Sequence, residues 1–115
     1  MGHHRHHAII VNGFQAEAVA AAHAEASRIF PSVTPIVASV CNGFSSFLVP
    51  PDGSKEGWED SHAGDARRHD FKEWLGRSIS AGMFLEWVEV RFGGDDNDAA
   101  IEDHADAGID AALPQ

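Results

Sequence analysis

The chain has 115 residues, of which 43% are hydrophobic, with seven Phe, three Trp and a formal net charge of -10; this is enough apolar material for one modest core and too short a chain for a second domain. The single cysteine, Cys41, excludes an intramolecular disulfide. No run reaches the roughly 18 apolar residues that span a bilayer, so a cytoplasmic protein without membrane attachment is expected.

The charge is unevenly distributed. From Gly94 onward there are seven acids and no Lys or Arg, which leaves eleven acids against eight bases before it and a net charge near -3 for the rest of the chain. A protein that grips a phosphate backbone needs clustered positive charge, so nucleic acid is not an expected partner. The opening Met1-Gly2-His3-His4-Arg5-His6-His7 is given no role. These divisions set out a His-rich segment over 1–6, one α+β domain over 7–94 and an acidic tail over 95–115. The tail is rich in Asp and Ala and poor in large apolar side chains, which argues for disorder because burial cannot offset the entropy of ordering it.

In chain order, Ala8 to Val11 reads as a short strand that Asn12-Gly13 breaks. Gln15 to Phe30 is alanine-rich, and Val19, Ala22, Ala26, Ile29 and Phe30 recur near helical spacing, so an amphipathic helix is expected to end before Pro31. Thr34 to Cys41 and Phe44 to Val49 are apolar and β-branched runs separated by Asn42-Gly43. That dipeptide supplies the two positive-φ residues of a type I′ turn, which predicts a β-hairpin. A two-residue loop pairs Val40 with Ser45, Ala38 with Phe47 and Ile36 with Val49 on one face, and Cys41 with Phe44, Ser39 with Ser46 and Val37 with Leu48 on the other.

Pro50-Pro51-Asp52-Gly53 ends the hairpin. A polar loop over 54–64 leads to a second helix with Asp65 as N-cap, running through Leu75 to a stop at Gly76 or Gly82, with Phe71, Trp74 and Leu75 inward and Arg67, Lys72 and Glu73 outward. Phe84 to Phe92 alternates as a last strand, with Val88, Val90 and Phe92 on one face and Leu85, Trp87, Glu89 and Arg91 on the other. Strand, helix, hairpin, helix, strand is the βαββαβ order of a ferredoxin-like sandwich, a four-stranded antiparallel sheet with both helices on one face. The opposite face would carry Val37, Phe44, Leu48 and Trp87, an apolar patch suited to a partner protein or a homodimer contact.

The run Val49-Pro-Pro-Asp-Gly-Ser-Lys-Glu-Gly-Trp-Glu-Asp-Ser, with Gly64-Asp65-Ala-Arg-Arg, Phe71 and Trp74-Leu75, resembles a family of small uncharacterised proteins encoded by tailed phages and prophages. His7-Ala-Ile-Ile-Val and Trp87-Val-Glu-Val-Arg-Phe-Gly-Gly-Asp-Asp fit the same pattern, so the resemblance covers roughly residues 6 to 96. It implies a phage accessory role in the host cytoplasm, an action against host defence among the readings, and carries over no catalytic residues.

The densest polar region, 52–69, suggests a binding site. Lys55, Arg67, Arg68 and His69 next to the Trp58 ring and a helix N-terminus would hold a small nucleotide-like anion and stack its ring; the same residues also fit a capped surface loop with structural ion pairs. His62, Asp65 and His69 are too few and too loosely spaced to define a zinc site. Cys41 reads as a small buried strand residue and His23 as packed or solvated. No phosphate-loop, dinucleotide or nucleophile-elbow pattern occurs, so no cofactor is expected. The leading expectation is therefore a non-enzymatic binding protein for a small anion or a host protein. Its rival is a small hydrolase or transferase with His62 or His69 as base.

Overall fold

The computed structural model describes residues 6–53, 59–93 and 99–106. Among these residues the fold is α+β, with elements β1 (His6–Gly13), α1 (Ala16–Ile29), β2 (Val37–Ala38), β3 (Ser45–Val49), α2 (Glu59–Ser80), β4 (Glu86–Phe92) and β5 (Ala100–Asp106). The strands form one sheet in the order β2-β3-β1-β4-β5, and every neighbouring pair is antiparallel.

The strand count departs from the four expected. The fifth strand comes from the acidic segment expected to be disordered; the remainder of that segment lies outside the described residues apart from Ala99. Local composition missed β5 because its stability lies in pairing with β4, from Arg91↔Ala100 to Glu86↔Asp106, and not in burial of its own side chains, most of which are exposed. A bulge between Glu89 and Val90 admits the extra residue Glu102.

Both helices cover one face of the sheet. On β1 the alternation is strict, with Ile9 and Val11 fully buried and Ile10 between them 41% exposed. The core joins these to Phe47 and Val49 of β3, Leu85 and Trp87 of β4, and Phe71 and Leu75 of α2. Helix α1 contributes Ala18, Val19, Ala22 and Ala26; three alanines at i, i+4 and i+8 let its backbone approach the sheet closely. Phe71 meets Phe30 edge-on at 5.7 Å and stacks with Trp74 at 6.3 Å. His23 is packed: it bonds the Thr34 carbonyl oxygen at 2.8 Å and meets Phe47 edge-on.

The hairpin forms, with a different register. Val37 pairs with Ser46 and Ala38 with Ser45, two residues from the expected alignment. Asn42 and Gly43 do take positive φ, 66° and 70°, but inside a longer connection closed by the Ser39 amide donating to the Phe44 carbonyl. A shift of two preserves which side chains share a face, so Val37, Phe44 and Leu48 still lie on the face away from the helices. Trp87 does not. It faces the helices and is 7% exposed, while Ile10, Val88 and Val90 occupy the outer face by register with Leu48 and one another. Cys41, expected to be buried, is exposed in the hairpin connection.

Helix α2 starts earlier than expected. It begins at Glu59, not after Asp65, and of the two expected stops it passes Gly76 and ends at Gly82, with Ser80 its last helical residue. Its end is a Schellman motif: the Met83 amide donates to the Ser78 carbonyl and the Gly82 amide to the Ile79 carbonyl, both at 3.0 Å, with Gly82 at φ 109°. Gly76 is exposed, and a Cβ there would meet nothing within 4 Å. Gly76→Ala should therefore raise stability by about 1 kcal/mol, whereas Gly82→Ala should lower it by about 1 kcal/mol through backbone strain. Urea midpoints moving in opposite directions check this, and equal midpoints would contradict a helix that continues past residue 76 and stops at 82.

Candidate functional site

The inward face of α2 carries Gly64, Arg68, Phe71 and Leu75, all buried, with Lys72 half-buried beside them. The spacing of four, three and four is that of a core stripe, and its N-terminal half holds charged groups where the rest holds apolar ones. Opposite them, Glu89 occupies a core-facing position on β4 with its side chain 5% exposed.

Three nitrogen-bearing side chains meet this carboxylate. Lys72 Nζ donates to Glu89 Oε1 at 2.6 Å. On the other oxygen, Arg68 Nε is 3.5 Å and His7 Nδ1 3.3 Å from Oε2. Burial alone would push the Glu89 carboxyl up, but His7 and Lys72 outweigh it and hold the pKa at about 2. Burial likewise opposes the charge on Lys72, and Glu89 with Asp103 of β5 reverses this, so the Lys72 pKa is raised. Lys72 Nζ lies 3.5 Å from Asp103 Oδ2. His7, excluded from any role by its place in a His-rich opening, thus belongs to β1 and to the charged interior.

A cleft of about 220 Å³ opens above this network. Its apolar walls are Ile9 of β1, Phe30 and Pro31 after α1, and Val49, Pro50 and Pro51 at the end of β3. Its polar lining is His7, Ser32, Asp52, Arg67 and Arg68. Gly64 brings the helix close to Asp52: a Cβ there would sit 2.5 Å from Asp52 Oδ2, so a larger residue must displace that carboxylate. The two arginines differ. Arg68 is committed, bonding Asp65, meeting Glu89 and lying 3.9 Å from Asp52 Oδ2. Arg67 is half-buried against the cleft and makes no ion pair among the described residues.

Of the five residues expected to bind an anion, Arg67 and Arg68 come together in this cleft. His69 does not line it; it is exposed and lies 3.5 Å from Glu73 of the same helix. Lys55 and Trp58 lie outside the described residues. The expected helix N-terminus at Asp65 is absent, so Arg67 and Arg68 sit two turns inside α2 and no free amides of a first turn accompany them. His62 is also exposed and outside the cleft lining; the histidine that does line it is His7. Among the described residues no three His, Cys, Asp or Glu side chains converge as a metal site, and no helix is long and apolar enough to cross a membrane.

Lys72, Glu89 and His7 were missed as interior residues. The available signal was Glu89 sharing a strand face with Leu85 and Trp87, the bulkiest apolar pair of β4, which places the carboxylate on the same side as the core. No protein-family model, curated protein or solved structure matches this chain.

Proposed function

We propose that the protein is a non-enzymatic binding protein that takes a small anionic ligand in the cleft between α1, the end of β3 and α2. The observation that carries this reading is Arg67, a half-buried guanidinium on the cleft wall with no carboxylate of its own among the described residues. A cation held in partly desolvated surroundings without a partner gains most from an incoming anion. The element order agrees with a ferredoxin-like sandwich to which β5 adds an edge strand, a scaffold that commits the chain to no particular chemistry. The phage-like sequence pattern favours an accessory role in the host cytoplasm, where such a protein would sequester a ligand.

Thermal unfolding of the full chain against a panel of small anions and nucleotides tests this. A ligand at 100 times its Kd adds about 2.7 kcal/mol, which raises the unfolding midpoint by roughly 10 °C. Arg67→Ala should weaken binding by about tenfold to a hundredfold, the range for losing a charged hydrogen bond. Asp52→Asn should act in the opposite sense and tighten binding, because Asp52 is the carboxylate that lines the cleft. Absence of any shift across the panel would remove this reading.

A second reading has its own observation. From Phe30 to Pro51 the chain has no Asp, Glu, Lys or Arg, and within that stretch Val37 is 60% exposed on the outer sheet face. Val37, Phe44 and Leu48 there, with Ile10 and Val88 in place of Trp87, favour a host protein or a second copy as partner. Ile10→Lys abolishing capture of a partner, with thermal stability unchanged, is the expected result.

A further inference from the structure

We infer that the ligand of this cleft is a single-ring organic monoanion, an aromatic carboxylate in chemical class, and that a complete nucleotide does not fit within it. The inference rests on reading the cleft as an anion site and adds its size and charge.

Size decides first. A dry cavity of about 150 Å³ accepts benzene, whereas pockets that enclose drug-sized ligands measure about 300–1,000 Å³. At about 220 Å³ the cleft holds one six-membered ring and leaves the volume of about two waters, taking ~30 Å³ for each. That remainder suits a carboxylate. A base, a ribose and a phosphate together exceed it.

Charge decides next. Glu89, Asp65 and Asp52 surround Arg68, and Glu89 with Asp103 surrounds Lys72, so these cations are already matched. Among the described residues Arg67 is the cleft guanidinium left without a carboxylate, and Asp52, which also lines the cleft, opposes further negative charge. One uncompensated guanidinium favours one carboxylate, which it can bind through two parallel N–H donors; a phosphate dianion would bring a second charge with no second unmatched Arg or Lys among the described cleft residues to receive it.

The walls complete the fit. Pro31, Pro50 and Pro51 have fixed φ and no rotamer freedom to lose, and with Phe30 they present flat, rigid apolar surfaces to a ring. A preformed slot of this kind loses little entropy on binding.

The test is an amide and arginine side-chain NMR titration of the full chain with benzoate, acetate and adenosine monophosphate. Benzoate is expected to bind at least tenfold tighter than either of the others and to perturb Ser32, Gly64 and the Arg67 side chain; Arg67→Gln should lower benzoate affinity at least tenfold. Acetate binding as well as benzoate would overturn the ring requirement and leave the anion site standing. Tighter binding of adenosine monophosphate would overturn the size and charge argument, again with the anion site intact. If none of the three binds, or if Arg67→Gln changes nothing, both the ligand class and the reading of the cleft as an anion site fall.

Discussion

Glu89→Gln is expected to lower stability by about 3 kcal/mol, the cost of breaking a buried ion pair by removing one partner, and to lower the unfolding midpoint by roughly 12 °C at about 4 °C per kcal/mol. The size follows from the position of the carboxylate. Its side chain is 5% exposed, and without its charge Lys72 Nζ loses the carboxylate oxygen that it meets at 2.6 Å and Arg68 loses the carboxylate on its inner side, at the edge of the core. Lys72→Met should cost less, about 1 kcal/mol, because Arg68 and His7 still attend the carboxylate and Lys72 is 23% exposed. The pH dependence has a definite sign. The folded pKa of Glu89 is lowered from 4.5 to about 2, so its stabilisation is complete above the unfolded value near 4.5 and is lost as pH falls toward 2. A lowering of this size corresponds to about 3 kcal/mol, the same magnitude as the substitution. Urea unfolding of wild type and Glu89→Gln from pH 7 to pH 2 should therefore give curves that converge at the acid end. A constant difference across that range, or a difference under about 1 kcal/mol at pH 7, would remove the ion cluster as a source of stability.

The same cluster explains where the sequence was legible and where it was not. Apolar periodicity located β1, α1, the hairpin and β4 because each buries a stripe or a face, and burial is what periodicity records. The same logic places polar residues outward, which does not hold for Lys72, Arg67 and Glu89. On β4 the two alternating sets were Val88, Val90 and Phe92 against Leu85, Trp87, Glu89 and Arg91; counting charges puts the first set inside, whereas the structure buries the second. Charged groups become interior only when their partners are supplied, and the partner of Glu89 on β1, His7, is 82 residues away with no local sign of the pairing. The start of the second helix escaped for a related reason. Asp65 looks like an N-cap and Gly76 and Gly82 both look like stops from propensity, yet packing of Gly64 beside Asp52 and of Ile79 on the core extends the helix back to Glu59 and past Gly76 to the second glycine. The cleft was half legible. Arg67 and Arg68 stand out in the sequence for their density of charge, but the apolar walls from Phe30-Pro31 and Pro50-Pro51 belong to two separate parts of the chain that only the fold brings together.

Truncation after Gly93 should lower stability by about 2 kcal/mol, although the segment removed is acidic and alanine-rich and most of its described side chains are exposed. The expectation comes from β5. It pairs with β4 at Glu86↔Asp106, Trp87↔Ala105, Val88↔His104, Glu89↔Asp103, Val90↔Ile101 and Arg91↔Ala100, and cross-strand pairs contribute roughly 0.2–1 kcal/mol each. Ala105 also packs against the core. The ion pairs are the smaller share: Arg91 Nε to Glu102 Oε1 at 2.9 Å and Lys72 to Asp103 involve side chains 38% and 50% exposed on the acidic side, so Glu102→Gln with Asp103→Asn should cost less than about 1 kcal/mol together. Truncation should in addition cause association. It turns β4 into an edge whose outer face carries Val88 and Val90, while the present edge presents Glu102 and Asp103, charges of the kind that discourage strand pairing between molecules. Sedimentation and urea unfolding of the truncated and full chains separate the two consequences. Loss of stability together with concentration-dependent association is the result expected if β5 is both a structural strand and a guard on the sheet edge. A truncated chain as stable and as monodisperse as the full one would mean that β5 contributes nothing to the domain.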